Sequence, residues 1–403
     1  MDAASAAAAL LTSEGRRDPY PTYALLHRHG PLVTAGQYTI VSGYRAADQL
    51  LRDPRMVVLP DDLRDLHWPG WRENRAISTI AISMLRANPP DHTRMRRLVA
   101  GAFTARRVAA MRDVVAAQTA ALLDEILEQG QGGRPVDFMA EFAYRLPVGV
   151  ICALLGIPAA DTPWFRQRAT DLTAALELVA DPDELAVASR GAAELERYFA
   201  DLIQHRRAHP GEDLTTALVQ AHDAGPDQLS GDELLANLIL LLVAGFETTT
   251  NLLGNGLMIL LERPEHLARL RADESLAPAY VAEMLRFDPP VQLTSRVASA
   301  DAEVDGVRVP AGAWLLILLG AANRDPARFP DPDRFNPDRP DNQPLSFGAG
   351  IHYCLGAALA RLEAEVAFPQ LLRRLPRVAL AGAPQRRVRL TLRGYATLPI
   401  TVA

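Results

Sequence analysis

The chain has 403 residues, 49% of them hydrophobic, which is enough for a large buried core. Its net charge of −6 argues against nucleic acid as the main partner. Two cysteines are too few for a disulfide framework or a four-cysteine zinc site, so we expect an intracellular, cytoplasmic protein.

The first half of the chain is predicted to be mostly helical, with two early strands and one long loop. After a short N-terminal helix, residues 31–42 have the pattern of two strands around a turn at Gly36. A helix is predicted at residues 44–54. Residues 56–90, rich in Trp, Pro and Asp, are predicted to form a long irregular loop. Residues 91–203 then show helical periodicity with Pro and Gly breaks.

Ser230 is predicted to begin the longest helix, because Glu233 follows three residues later and completes a capping box. The helical pattern continues to Pro264 and is apolar nearly all round, which predicts a buried helix. Its longest apolar stretch, residues 234–246, is shorter than the ~18 residues of a membrane span. We therefore expect no membrane association.

The last third of the chain is predicted to mix short helices, strands and coil. A helix is predicted at residues 277–287, followed by short strands over 291–319 with a hairpin turn at Asp305-Gly306. Residues 320–346 are rich in Pro and Asp and are predicted to be coil.

Helix predominates in this pattern, so the predicted fold class is mainly α with small β-sheets. Residues 386–402 are predicted to end the chain as a β-hairpin. With no linker or internal repeat, residues 1–403 are expected to form a single domain. Its minor β-rich region would comprise about 31–42, 291–319 and 386–402.

Cys354 lies in the segment "FGAGIHYCLG", immediately before a strongly helix-forming sequence. At a helix N-terminus, free amides and the helix dipole are expected to stabilise a thiolate and lower the pKa of Cys354. Such a thiolate suits a nucleophile or a metal ligand. Cys152, inside an apolar helical segment, is expected to be a buried structural cysteine.

Three further motifs place polar residues at helical spacing. They are Glu247-Thr248 within "AGFET", Glu283 with Arg286, and His92 with Arg96. Burying the first pair in an apolar helix is costly unless the two side chains are used or paired. Taken singly, each motif has an ordinary explanation: a kinked helix with a satisfied threonine, a surface ion pair, and a solvated basic face.

Together, and in this order, the motifs resemble the cytochrome P450 family. The cysteine segment matches the haem-binding signature Phe-x-x-Gly-x-x-x-Cys-x-Gly at Phe347, Gly350, Cys354 and Gly356. The Ala-Gly-x-Glu-Thr and Glu-x-x-Arg motifs match as well, as does the Pro-Asp-Arg-Phe segment at residues 332–335. The resemblance covers essentially the whole chain and is to the soluble bacterial, actinomycete-like branch.

The resemblance implies one haem b (iron protoporphyrin IX), with Cys354 as the axial ligand of the iron. The haem contacts it implies are His92, Arg96, Ala244, Gly245, Arg296, Phe347, Gly348, His352 and Gly356. Of these, the two histidines and two arginines would hold the haem carboxylates, and Gly245 would make room for O2. The implied structural ion network is Glu283, Arg286 and Arg334. On the opposite haem face, Glu247 and Thr248 would supply protons during oxygen activation.

The family's activity would make this chain a monooxygenase that receives electrons from NAD(P)H through separate redox proteins, a ferredoxin and a ferredoxin reductase. A monomer is expected. Residues 93–112 contain no acidic residue and are expected to form the ferredoxin-docking surface. The six arginines of this segment are Arg94, Arg96, Arg97, Arg106, Arg107 and Arg112.

The substrate pocket implied by family position is mostly apolar, with no charge placed to hold a small acid. Its expected residues are Met84, Leu85, Leu240, Val243, Ala244, Val291, Gln292, Leu293, Tyr395 and Ala396. This set predicts a bulky apolar natural product, first a polyketide such as a macrolide, which is hydroxylated or epoxidised. A terpenoid, steroid or peptide substrate is the alternative.

Two other classes are weaker. A thiolate-ligated haem sensor would leave Glu247 and Thr248 without a role. A cysteine hydrolase with His352 as its base would leave the other three motifs unexplained.

Overall fold

The computed structural model describes residues 2–178, 181–225 and 228–402. The principal helices are α1 Ala3–Ala9, α2 Ser13–Arg17, α3 Tyr20–His29, α4 Tyr44–Arg52, α5 Asp61–His67, α6 Arg75–Ala81, α7 Asp91–Ala102, α8 Ala105–Gln129, α9 Arg145–Leu155, α10 Thr162–Leu172, α11 Pro182–Ala208, α12 Leu214–Asp223, α13 Gly231–Leu261, α14 Pro264–Ala272, α15 Ala277–Phe287, α16 Leu319–Ala322 and α17 Ala357–Arg374. The strands are β1 Leu32–Ala35, β2 Tyr38–Val41, β3 Met56–Val57, β4 Val136–Asp137, β5 Thr294–Ala298, β6 Ala302–Val304, β7 Val307–Val309, β8 Trp314–Ile317, β9 Ala379–Leu380, β10 Gln385–Arg386, β11 Tyr395–Thr397 and β12 Pro399–Thr401. The predicted fold class, mainly α with small sheets, is confirmed.

Helix α13 runs through the core and has 31 residues, so it is ~46 Å long. Its predicted capping box is present: the Ser230 hydroxyl accepts from the Glu233 amide at 3.1 Å, and the Ser230 amide donates to the Glu233 carboxylate at 2.7 Å. α13 packs against α9, α11, α15 and α17. Among the described helices it is the one long and apolar enough to cross a membrane, but 72% of its most apolar window is buried inside the fold.

Near its middle, α13 is not fully buried. Ala244 is exposed, and Gly245 and Thr248 are partly exposed, although the residues around them are buried. This side of the helix therefore borders an internal space instead of packed side chains.

The largest sheet has five strands in the order β1-β2-β8-β5-β3, with β2 and β8 parallel and the other pairs antiparallel. Strands β6 and β7 form the predicted hairpin. Its turn residues Asp305 and Gly306 both have positive φ, at 50° and 78°, as a tight two-residue hairpin turn requires.

Two predicted elements are wrong. Residues 56–90 are not an irregular loop, because β3, α5 and α6 lie there, and the Asn74 side chain caps α6 by accepting from the Ile77 amide. The terminal hairpin lies earlier in the chain than predicted: β10 pairs antiparallel with β11 across residues 387–394, whereas β12 pairs with β4 and β9. Leu398 alone separates β11 from β12, which is too short a connection for a hairpin turn.

Candidate active site

A cavity of about 850 Å³ lies between the middle of α13 and the segment that precedes α17. Ala244, Gly245 and Thr248 line one side of it. The opposite side is lined by Phe347, Gly348, His352, Cys354 and Gly356. The Glu-Thr pair and the cysteine segment, which are distant in the sequence, therefore line the same cavity.

Cys354 is held before the start of α17, which begins three residues later at Ala357. Its amide donates to the Phe347 carbonyl at 2.9 Å. Burial raises the pKa of the Cys354 thiol above its usual value, although the Gly356 and Ala357 amides and the nearby guanidinium of Arg96 act in the opposite direction. The predicted lowering of this pKa is therefore wrong for the protein alone, because desolvation outweighs the helix N-terminus. A coordinated metal would overcome that cost, since a thiol bound to a metal ion is deprotonated outright.

A cluster of basic side chains lines the same cavity. The rings of His92 and His352 lie 4.1 Å apart between centroids, and Arg96 donates to the Tyr353 carbonyl at 2.7 Å. Arg296 is buried, and its guanidinium donates to the Thr294 hydroxyl and the Ser295 carbonyl. No carboxylate pairs with any member of this cluster among the residues that the structure describes.

The pKa values in this cluster reflect burial first and crowded positive charge second. Burial, with a smaller contribution from Arg86, lowers the pKa of Arg296 to about 10. Burial and then the charge of Arg296 lower the pKa of His352 to about 3. A buried cationic cluster without carboxylates calls for an anionic ligand. The two carboxylates of a haem match that need, so these residues fit the cofactor that the motifs imply.

Glu247 and Thr248 differ in how they face the cavity. The Thr248 hydroxyl donates to the Ala244 carbonyl one turn earlier, at 3.1 Å, as a threonine in a buried helix is expected to do. The Glu247 side chain is 1% exposed, and one of its oxygens accepts from Asn251 and from Arg387. The other oxygen, Oε2, has no hydrogen-bond partner among the described residues. A half-satisfied buried carboxylate beside a cavity is suited to holding or passing a proton.

Sequence reasoning missed Arg387. Its guanidinium bridges the Glu247 carboxylate and the Tyr144 hydroxyl, and it lies 140 residues away from Glu247 in the chain. No spacing pattern could have indicated this contact. Gly245 also has a second explanation: a Cβ there would lie 3.0 Å from Ile151 on α9, so the glycine permits close helix packing as well as bordering the cavity.

Glu283 and Arg286 form the expected buried ion pair. Both side chains are fully buried, and two parallel hydrogen bonds of 2.8 Å join them. Arg334 differs from expectation, because its side chain is exposed and its main-chain carbonyl is what accepts from Arg286. Arg339 supplies the second cation instead, with Nε 3.1 Å from Glu283. This network fixes the coil that leads towards Cys354.

The predicted substrate residues divide into two groups. Those that line the cavity are Met84, Leu85, Leu240, Val243, Ala244, Val291 and Leu293. Gln292, Tyr395 and Ala396 are not among the lining residues. Gln292 is buried, donates to the Pro289 carbonyl and accepts from the Tyr23 hydroxyl, so its polar group is used elsewhere.

The C-terminal segment lines the cavity with residues that come earlier in the chain than predicted. Tyr395 is buried beneath the Arg386 guanidinium, at 4.1 Å from the ring centroid, and Ala396 is exposed on strand β11. Thr391 and Leu392 line the cavity instead. The wall also contains charged and aromatic residues outside the predicted set, because Arg64 and Arg86 line it together with Trp68 and Trp71.

Comparison with known proteins agrees with this site. The family model described as "Cytochrome P450" matches residues 189–380. The chain is 40% identical over 392 residues to cytochrome P450 monooxygenase PikC of Streptomyces venezuelae, covering 95% of this chain and 91% of PikC. It is 39% identical over 396 residues to 6-deoxyerythronolide B hydroxylase of Saccharopolyspora erythraea, covering 95% of this chain and 96% of that enzyme.

The fold is similar to that of the solved structure of CalO2, with a TM-score of 0.89, 32% identity and 98% of each chain covered. The matches to PikC and to 6-deoxyerythronolide B hydroxylase extend over almost the whole length of those bacterial relatives. The chain belongs to the cytochrome P450 family and is a monooxygenase of that family, with haem iron as its cofactor and O2 as its co-substrate.

Proposed function

We propose that this monooxygenase inserts one oxygen atom from O2 into a bulky, mainly apolar natural product, by hydroxylation or epoxidation. The observation that carries the proposal is the cavity of about 850 Å³, which is large and predominantly apolar and lies between Thr248 and Cys354. A polyketide such as a macrolide is the first substrate class, supported by the likeness to PikC and to an enzyme named for hydroxylating 6-deoxyerythronolide B. Terpenoids, steroids and peptides are the alternatives.

In the proposed site the haem iron, when bound, binds and activates O2. Cys354 would be its protein ligand, and the Phe347 ring would shield the sulfur. The haem carboxylates would be bound by His92, Arg96, Arg296 and His352. Thr248 would present its hydroxyl to the cavity, and the unpartnered oxygen Oε2 of Glu247 would accept and pass on a proton. Together the last two side chains would deliver protons while apolar neighbours limit the access of water.

We further propose that electrons come from NAD(P)H through a ferredoxin reductase and a ferredoxin that docks on exposed arginines of residues 93–112. The protein would act in the cytoplasm as a monomer, with residues 1–403 as a single domain. Arg97 and Arg106 are exposed on α7 and α8, where they can meet an acidic partner.

The central test is the absorbance spectrum of the reduced, carbon-monoxide-bound protein. Thiolate ligation by Cys354 predicts a strongly red-shifted Soret band. We expect Cys354→Ser to lose that band, whereas Cys152→Ser should keep it, because Cys152 is buried in α9 away from the cavity. An unshifted band in folded, haem-loaded wild-type protein would contradict the proposal.

A screen of substrate-induced spectral shifts then tests the substrate class. Macrolactones should bind more tightly than steroids or terpenoids of similar size if the first class is correct. Tighter binding of the steroids would instead favour a steroid as the natural substrate.

A further inference from the structure

We propose that Arg86 binds an anionic group of the substrate, so that the natural substrate is a mainly apolar molecule that carries a carboxylate. This inference rests on the proposed function and deepens it by naming the polar feature of the substrate. The structure supports it through three observations: the position of Arg86 in the cavity wall, the balance of charge around it, and the rigidity of the segment that carries it.

Arg86 lines the cavity and has no partner for its charge. Among the residues that the structure describes, no hydrogen bond or ion pair holds its guanidinium. Its charged neighbours are cations, since Arg64 and Arg296 both lie close enough to repel it. Burial and then Arg64 lower the pKa of Arg86 to about 10, so it still carries its charge at neutral pH. An arginine in this setting is stabilised by an arriving anion.

The haem carboxylates do not account for all of the positive charge. Three guanidinium groups without a carboxylate partner line the cavity, those of Arg86, Arg96 and Arg296. Arg64 is already paired with Asp61. Two haem carboxylates would balance two of the three, whatever charge the neighbouring histidines carry. One guanidinium is then left without a carboxylate partner in the wall of a largely apolar cavity, where an unpaired charge is costly.

The segment around Arg86 is fixed at both ends. The Met84 amide donates to the Asn237 side chain of α13 at 3.1 Å. The Asn88 side chain pairs with both the amide and the carbonyl of Val58, at 2.9 and 2.8 Å. The backbone of Arg86 is therefore held in place in the cavity wall. Because the backbone is fixed before a ligand arrives, binding a carboxylate has to order only the Arg86 side chain.

The test compares two ligands of equal chain length that differ in charge, tetradecanoic acid and tetradecan-1-ol. Binding to the haem-loaded protein is measured by calorimetry and by the haem absorbance shift at neutral pH. We expect the wild type to prefer the acid. Arg86→Gln should weaken acid binding by about tenfold or more, the range for a hydrogen bond to a charged group, and change alcohol binding less than about twofold. Arg190→Gln, which changes an exposed arginine of α11 outside the cavity wall, is the matched control and should change neither.

Several outcomes would overturn the inference. Equal wild-type affinity for acid and alcohol, or no binding of either, contradicts a carboxylate site. An equal loss of affinity for both ligands in Arg86→Gln would mean that Arg86 only shapes the cavity. Reduced haem content in Arg86→Gln, with the preference for the acid intact in the loaded fraction, would assign Arg86 to the haem carboxylates. None of these results affects the thiolate spectrum, so failure here is distinct from failure of the proposed function.

Discussion

Thr248 is the single residue whose proposed role is most directly testable. Thr248→Ala removes the hydroxyl and the γ-methyl group from the cavity wall, so proton delivery should fail while electron uptake continues. We expect product formed per NAD(P)H consumed to fall roughly tenfold or more, because a positioned proton donor typically contributes ~10²-fold or more. The measurement is the ratio of product to NAD(P)H consumed in a reaction reconstituted with ferredoxin and its reductase.

Thr248→Ser is the matched control for this experiment, since it keeps the hydroxyl and removes one methyl group. Its ratio should stay near that of the wild type. Unchanged coupling in Thr248→Ala would remove Thr248 from the proposed proton route.

At the same scale, the sequence predicted those site residues that lie within short motifs. Cys354 and the Glu-Thr pair are identified by their neighbours in the chain, and the cavity brings them together. Arg387 and Arg86 could not be found in this way. Arg387 lies in the connection between β10 and β11, far along the chain from Glu247, whose carboxylate it contacts. Arg86 is notable only because no carboxylate pairs with it among the described residues, which no local pattern reveals. Gln292, Tyr395 and Ala396 were misplaced because side-chain direction near a turn depends on strand pairing, which the sequence left open.

At the level of elements, the packing of α13 predicts a sharp difference between two of its glycines. A Cβ added at Gly256 would lie 2.4 Å from the Phe368 ring and 2.8 Å from the Met284 sulfur, whereas one added at Gly231 would meet nothing within 4 Å. Gly256→Ala should therefore lower the free energy of unfolding by ~1–3 kcal/mol through overpacking. Gly231→Ala should leave it unchanged or raise it by up to ~1 kcal/mol through helix propensity.

Thermal unfolding followed by circular dichroism, at equal haem content, compares the two variants. A loss of stability in Gly231→Ala as large as that in Gly256→Ala would show that the helix, rather than its contact with α15 and α17, limits stability.

Elements were predictable from the sequence where local signals agree. In α13 the capping box, the apolar run and the length all point to one buried helix, and the structure has it. Over residues 56–90 the local sequence signals do not agree. Helices α5 and α6 have seven residues each, too short to be stable alone, so tertiary contacts decide whether they form. The pairing of β12 with β4 likewise depends on a distant partner.

For the whole molecule, charge is distributed unevenly in a way that composition does not reveal. The chain has a net charge of −6, yet residues 93–112 contain six arginines and no acid. The structure separates these arginines by use: Arg94 pairs with Glu233, Arg96 faces the cavity, and Arg107 donates to the carbonyls of Ala102 and Glu212. Arg97, Arg106 and Arg112 are exposed, but Arg112 lies near the carboxylate of Glu365, so Arg97 and Arg106 are the two best able to steer a partner.

Reversing these two charges should therefore slow electron delivery without altering the haem site. We expect the double variant Arg97→Glu/Arg106→Glu to be reduced by ferredoxin about tenfold or more slowly at low salt, because steering by complementary charge raises association rates by ~10-fold or more. Since added salt screens the attraction, the difference from the wild type should shrink as ionic strength rises. Stopped-flow absorbance under carbon monoxide follows the reduction.

Two controls isolate docking from other effects. Arg190→Glu changes an exposed arginine on α11, far along the chain from α7 and α8, and should leave the rate unchanged. Chemical reduction by dithionite should be equally fast in all variants, because it needs no docked protein. If the double variant kept the wild-type rate and the wild-type salt dependence, the ferredoxin would have to dock elsewhere. Within residues 93–112, only Arg96, which faces the cavity, would then keep its proposed functional role.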